Sequence, residues 1–113
     1  MNTHHALNYI EFGSTDLGAT KTFYSTTFGW EFVDYGPNYA AFKDPAGNDG
    51  GFSPDSPVGK GVLVVLYSER LEETKAAVEA NGGVITREIF TFPGGRRFQF
   101  TDPSGNELAV WSE

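Results

Sequence analysis

A five-residue phrase, Asp44-Pro45-Ala46-Gly47-Asn48, returns 58 positions later as Asp102-Pro103-Ser104-Gly105-Asn106. Asp-Pro and Gly-Asn pairs are common turn chemistry, so a single match of this kind arises wherever a chain reverses. A second set of matches makes duplication the better reading: Leu17, Thr20, Lys21 and Gly29 recur as Leu71, Thr74, Lys75 and Gly83, each 54 residues on. The difference between the two offsets places a small insertion in the second copy. A tandem repeat constrains the fold strongly, because each half must build the same supersecondary unit. Two copies are too few for a solenoid, so a binding site is expected in the groove between them.

Within the first copy, Leu7-Asn8-Tyr9-Ile10-Glu11-Phe12 alternates as a strand does, with Asn8, Ile10 and Phe12 on one face and Tyr9 and Glu11 on the other. The spacing of Leu17, Thr20, Phe23, Tyr24 and Phe28 then predicts a helix, with Ser14, Thr15 or Asp16 as N-cap and Gly29 as its stop. Residues 30–35 and 39–43 read as a hairpin around Gly36-Pro37-Asn38, and 49–53 as a short, glycine-weakened strand. The second copy repeats this order, with strand 62–67, helix 71–80 stopped by Gly82-Gly83, and strands 84–92, 97–101 and 107–111. Its helix turns Leu71, Thr74 and Val78 inward and Glu72, Glu73, Lys75 and Glu79 outward. A βαβββ unit packs its helix on one face of a curled sheet and leaves the other concave. The expected architecture is an α+β domain over residues 1–113: module one at 6–53, a Pro/Gly-rich linker at 54–60 and module two at 61–113, with curled mixed sheets around a cavity and helices outside.

Composition narrows the functions. A formal net charge of −7 argues against a nucleic-acid surface, which needs clustered Lys and Arg; the adjacent Arg96 and Arg97 read as a solvated hairpin end. The absence of cysteine removes disulfides, thiolate ligands and a thiol nucleophile. No apolar run approaches the ~18 residues of a membrane span, and Met1 to Ala6 lacks a leader pattern, so a cytoplasmic protein without a membrane partner is expected. Aromatic residues make up 15% of the chain, enough that some are expected to line a cavity.

Three segments carry a resemblance: Tyr9-Ile10-Glu11-Phe12 followed by Thr15-Asp16-Leu17; Phe23-Tyr24 leading to Phe28-Gly29-Trp30; and Phe100-Thr101-Asp102-Pro103-Ser104-Gly105-Asn106-Glu107. In these the chain resembles the vicinal oxygen chelate superfamily of glyoxalases, bleomycin resistance proteins and extradiol dioxygenases. The resemblance implies a homodimer and, in metal-using members, His and Glu ligands on the first and last strands of each copy. Those positions fall here on Tyr9, Gly51, Leu63 and Ala109. None supplies the imidazole or carboxylate that Zn, Ni, Fe or Mn sites require. Shifting the register by one residue brings in only Asn8, Phe52, Val62, Leu108 or Val110, and by two brings in Glu11 and Glu107, while His4 and His5 precede the first strand. No cofactor is therefore expected.

The remaining expectation is a pocket lined by Tyr9, Glu11, Leu63, Val65, Tyr67, Glu107, Ala109 and Trp111, with Trp30 and Phe52 near its mouth. Apolar and aromatic walls with a few carboxylates suit a small molecule. The two Glu would meet a cation and Tyr9, Tyr67 and Trp111 would stack on it, so a bound aromatic or cationic compound is expected. The alternatives are a metal-dependent lyase or isomerase of glyoxalase I (lactoylglutathione lyase) type using Glu11 and Glu107, and an interaction module whose concave surface or sheet edges bind another protein, including another copy of itself.

Overall fold

The computed structural model describes residues 2–5, 7–59 and 61–113. Met1, Ala6 and Lys60, which bound the expected leader-free start, the first module and the linker, lie outside the described residues. Strand β1 (Ile10–Gly13) leads to helix α1 (Leu17–Phe28), then to β2 (Glu31–Asp34), β3 (Ala40–Lys43) and β4 (Asp49–Ser53). The order repeats as β5 (Val64–Tyr67), α2 (Leu71–Ala80), β6 (Val84–Phe92), β7 (Gly95–Thr101) and β8 (Glu107–Ser112). Two separate four-stranded sheets result, in the orders β1-β4-β3-β2 and β5-β8-β7-β6. In each, the first strand runs parallel to the last and the other pairs are antiparallel. Parallel neighbours need a crossover, and the helix of each half supplies it.

Local chemistry explains the helix ends. The Asp16 carboxylate accepts the Ala19 N–H at 3.0 Å, and Gly29, at φ 73°, closes α1 where a side chain would be strained. Helix α2 has no side-chain N-cap bond, but Glu72 and Glu73 place negative charge at its positive end. The expected Gly82-Gly83 stop operates just past Asn81: Gly82 takes φ 95°, and the Gly83 N–H reaches back to the Val78 carbonyl at 2.8 Å. β1 and β5 begin at Ile10 and Val64, later than the alternation suggests. The residues before them have no strand partner, and Leu7 and Val62 are among the most exposed apolar side chains.

The helix-facing sides of both sheets share one aromatic core. Eight of the ten phenylalanines belong to it or pack against it, leaving only Phe90 and Phe92 outside. Tyr24 stacks on Trp30 at 4.6 Å, Trp30 on Phe42 at 4.3 Å, and Phe23 reaches Phe100 in the second sheet at 6.1 Å. The second copy of the repeated turn clasps the halves. Asp102 accepts the buried Tyr24 hydroxyl at 2.8 Å, and Asn106 donates to the Gly13 carbonyl at 2.8 Å while accepting the Gly59 N–H at 3.1 Å. Among the described residues the first copy bonds within its own turn, from Ala46 and Asn48 to the Asp44 carboxylate and between the backbones of Asp44, Gly47 and Asn48.

Candidate functional site

On the first sheet, alternation along β1 sends Phe12 into the core and Glu11 to the opposite side, opposite Gly51 in register. Gly51 has no side chain, and Tyr39 and Tyr9 lay their hydroxyls over it. A Cβ there would fall on the Tyr39 hydroxyl and within 2.6 Å of that of Tyr9. Tyr39 donates to Glu11 Oε1 at 2.8 Å, and the two tyrosine oxygens are 2.7 Å apart. A hydroxyl has one proton, so Tyr9 is the donor to Tyr39. Ser56, from the segment after β4, donates to Glu11 Oε2. Bonds from Ser56 and then Tyr39 hold the Glu11 carboxyl below its ordinary value, so it is ionised at neutral pH. Burial, followed by the bonds to Tyr9 and Glu11, pushes Tyr39 well above the usual phenol range, so it remains a donor.

On the second sheet, Val65 stands opposite Ala109 and Tyr67 opposite Trp111. The Tyr67 and Trp111 rings meet edge to face at 5.1 Å. Glu107 Oε2 accepts Thr86 Oγ1 at 2.8 Å and Gln99 Nε2 at 3.1 Å, and Gln99 in turn accepts Arg97 Nη2 at 3.3 Å. Arg97 is therefore no solvated hairpin end: it is half-buried, opposite Trp111 in register. Its neighbour Arg96 turns to the other face and pairs with Glu72 of α2.

Two grooves flank the place where the edges of β1 and β5 approach, and Tyr9, Ile10, Phe12 and Val64 line both. The larger, of about 460 Å³, brings Glu11 and Glu107 together beside Val58 and Val62. The smaller, of about 320 Å³, adds Trp30, Phe42, Asp49 and Val65. Of the residues expected to form one pocket, Tyr9, Glu11, Val65 and Glu107 line these grooves. Leu63, Tyr67 and Trp111 are not among the lining residues, and Ala109 has no exposed surface. Trp30 reaches a groove wall although it is 6% exposed, whereas Phe52 is fully buried and stacks on Phe12 in the core. The pleat explains the difference: Phe52 follows Gly51 and so points to the opposite face. Sequence reasoning missed Tyr39, Ser56, Thr86 and Gln99 and read Arg97 as solvated. Tyr39 stands two residues before Ala41, the partner of Gly51, and this period was a usable signal. Ser56 comes from the linker and had none.

The fold invites a test for a metal. The positions that would supply donors hold a phenol already bonded to Tyr39, a glycine covered by two tyrosines, and two aliphatic side chains. This donor set does not fit a divalent ion. Among the described residues no group of three or more His, Cys, Asp or Glu converges elsewhere. No helix among them is long and apolar enough to cross a membrane.

Comparison with known proteins agrees with the architecture. A glyoxalase/bleomycin resistance protein/dioxygenase family enzyme from Burkholderia phytofirmans PsJN superposes with TM-score 0.80 at 15% identity, covering 93% of this chain and 96% of its own. A glyoxalase-related enzyme from Fulvimarina pelagi gives TM-score 0.81 at 20% identity, with 96% and 88% covered. Lactoylglutathione lyase from Agrobacterium tumefaciens gives 0.75 at 22%, with 98% and 96% covered. At such identities the likeness is one of fold. No curated protein matches the chain. The model of the Glyoxalase/Bleomycin resistance protein/Dioxygenase superfamily matches residues 6–110, through both repeats, and the chain belongs to that superfamily.

Proposed function

We propose that this protein binds a small aromatic or cationic molecule along the concave surface between its two sheets, using side chains rather than a metal. The observation that carries the reading is Glu11, an ionised carboxylate oriented by two hydroxyl donors at the wall of a groove of about 460 Å³. That volume lies within the usual range for small-molecule sites, roughly 300–1,000 Å³. Glu107 adds a second carboxylate, and Tyr9, Tyr67 and Trp111 supply partly exposed aromatic surface on the concave faces. A net charge of −7 attracts cations at long range. The alternative of a metal-dependent lyase lacks support from the donor set at the ligand positions.

The test is a thermal-shift and calorimetric screen of cationic and neutral aromatics against the wild type and Glu11→Gln. Cationic binders are expected to raise the melting temperature and to lose affinity in the variant. A screen without a binder would sink the reading. We also propose that two copies pair, because Val62, Leu63, Val65 and Tyr67 leave a run of apolar surface in and before β5, with Val62 81% exposed. Light scattering at micromolar concentration should then give twice the chain mass, and a monomer would contradict the pairing.

A further inference from the structure

The chain has few cations, and five of the seven described are paired with carboxylates. Lys21 pairs with Asp34, Lys43 with Asp49, Arg70 with Glu73, Lys75 with Glu79 and Glu88, and Arg96 with Glu72. Among the described residues Arg87 and Arg97 alone have no carboxylate partner, although acidic residues outnumber basic ones 15 to 8. Both also lie against one aromatic ring. The Arg87 guanidinium carbon lies 3.7 Å from the centre of the Phe90 ring, and that of Arg97 lies 5.3 Å from the same ring and 5.9 Å from Phe92. Arg87 is exposed and Arg97 half-buried, so the two like charges share one aromatic ring without a carboxylate to balance them, and the ring offsets only part of their repulsion.

Backbone geometry produces the juxtaposition. Strand β6 changes register against β7 twice, between Ile85 and Arg87 and between Arg87 and Phe90. A plain strand would put residues three apart on opposite faces; the shifts bring Arg87 and Phe90 together. Arg97 stands opposite both Phe90 and Trp111, so it faces the concave side. Its Nη2 is spent on Gln99, and its Nε is buried with no hydrogen-bond partner. The Arg97 guanidinium thus has unfilled hydrogen-bonding capacity, and the Arg87 guanidinium at the same ring has no carboxylate, so the pair calls for an acceptor. Guanidinium matches the planar, two-oxygen geometry of a carboxylate, and Phe92 and Trp111, 6.4 Å apart, offer rings for a flat body attached to it.

We infer that Arg87 and Arg97, gathered around Phe90 on the concave face of the second sheet, form an anion-recognising end of the binding surface that takes the carboxylate of a planar aromatic acid. The inference rests on the small-molecule reading above and adds a requirement for negative charge at this end. The same carboxylate chemistry could come instead from a second copy of this acidic chain, so the test separates the two sources.

The probes are 2-naphthoate and 2-naphthylmethylamine, flat molecules of opposite charge, titrated by calorimetry and tryptophan fluorescence into the wild type, Arg87→Gln, Arg97→Gln and Arg97→Lys. Folding of each variant is checked by circular dichroism, and Arg97→Lys, which keeps the charge and loses the fork, serves if the glutamine variant does not fold. Naphthoate is expected to bind the wild type and to weaken about tenfold or more in each glutamine variant, the loss of one charge-assisted hydrogen bond. Arg97→Lys should fall between, and the amine should not respond to any of the three. Equal naphthoate binding by all four proteins overturns the inference. So does an amine that binds through Glu11 while naphthoate does not bind, an outcome that leaves the small-molecule reading standing; failure of both probes removes both. If Arg97→Gln separates a dimer in sedimentation without changing naphthoate affinity, the counter-ion is a carboxylate of the second copy and the inference is overturned.

Discussion

Replacing Asp102 with alanine should cost far more than making the same change at Asp44, although the two residues open the same turn. Asp102 Oδ1 accepts the N–H groups of Ser104, Gly105 and Asn106, each at 2.9 Å, and Oδ2 accepts Tyr24 Oη at 2.8 Å and Asn106 Nδ2 at 2.9 Å. Asp102 is 3% exposed and Tyr24 fully buried, so water cannot replace the lost acceptor. A buried donor left without a partner costs about 1–3 kcal/mol. The Tyr24 hydroxyl and at least one further donor are orphaned together, so the expected loss is about 4 kcal/mol. Asp44 accepts the Ala46 and Asn48 N–H groups and Asn48 Nδ2, all at an exposed turn where water can substitute, so about 1 kcal/mol is expected there. Urea denaturation followed by tryptophan fluorescence gives both numbers. By calorimetry Asp102→Ala should melt roughly 15 °C below the wild type. Tyr24→Phe isolates one bond and, combined with Asp102→Ala in a double-mutant cycle, should show coupling of about 1 kcal/mol or more. Equal losses at Asp44 and Asp102, or no coupling to Tyr24, would refute the claim that the second turn clasps the two halves.

Gly51→Ala should destabilise the chain by about 1–3 kcal/mol and break the Tyr39–Glu11 bond, because its Cβ meets both tyrosine hydroxyls; chemical denaturation and the tyrosine NMR signals report the two effects. Gly18→Ala is expected to do the reverse and stabilise by about 0.5–1 kcal/mol, since Gly18 is exposed on α1 and its Cβ would meet nothing closer than Asp16 Oδ1 at 3.5 Å; a thermal melt decides it. Glu11 titrates below its ordinary 4.5 in the folded chain, so its contribution is fully present above about pH 4.5 and is lost as pH falls through the folded value. Glu11→Gln should therefore lower stability above about pH 4.5, flatten the acid limb of the profile and leave the slope of the neutral-to-basic limb unchanged, as measured by urea midpoints across pH.

Much of the fold was legible because it depends on period and punctuation. The spacing from Leu17 to Phe28 and its Gly29 stop define α1, and β4, α2 and β6 occupy the residues that their patterns mark. β1 and β5 start later because alternation reports a preference for extended chain, whereas a strand also needs a neighbour; Leu7 and Val62 have none. The concave residues were harder to read. Alternation assigns Tyr9 and Glu11 to one face correctly, yet it cannot reveal that Ser56 folds back from the linker onto Glu11. It also fails across the two register shifts of β6, where Arg87 and Phe90 share a face that a period of two denies them.

The repeat explains why the two halves diverge where they do. Turn, helix and helix-facing strand residues serve the common core, and there the copies keep similar chemistry, as Phe52 and Val110 or Phe42 and Phe100 show. The concave faces are free of that demand. On the first sheet that face carries a hydroxyl relay from Tyr9 through Tyr39 to an ionised Glu11, and on the second, Arg87 of β6 and Arg97 of β7 around Phe90. A purely structural face would not need unlike charges, since an aliphatic lining would avoid their desolvation. The Glu11 carboxylate on one face and the two guanidinium groups, next to Glu107, on the other would suit a ligand with a distinct orientation. Reversing the charge at one end should therefore change which probe binds while the helix-facing core, and with it the fold, stays as it is.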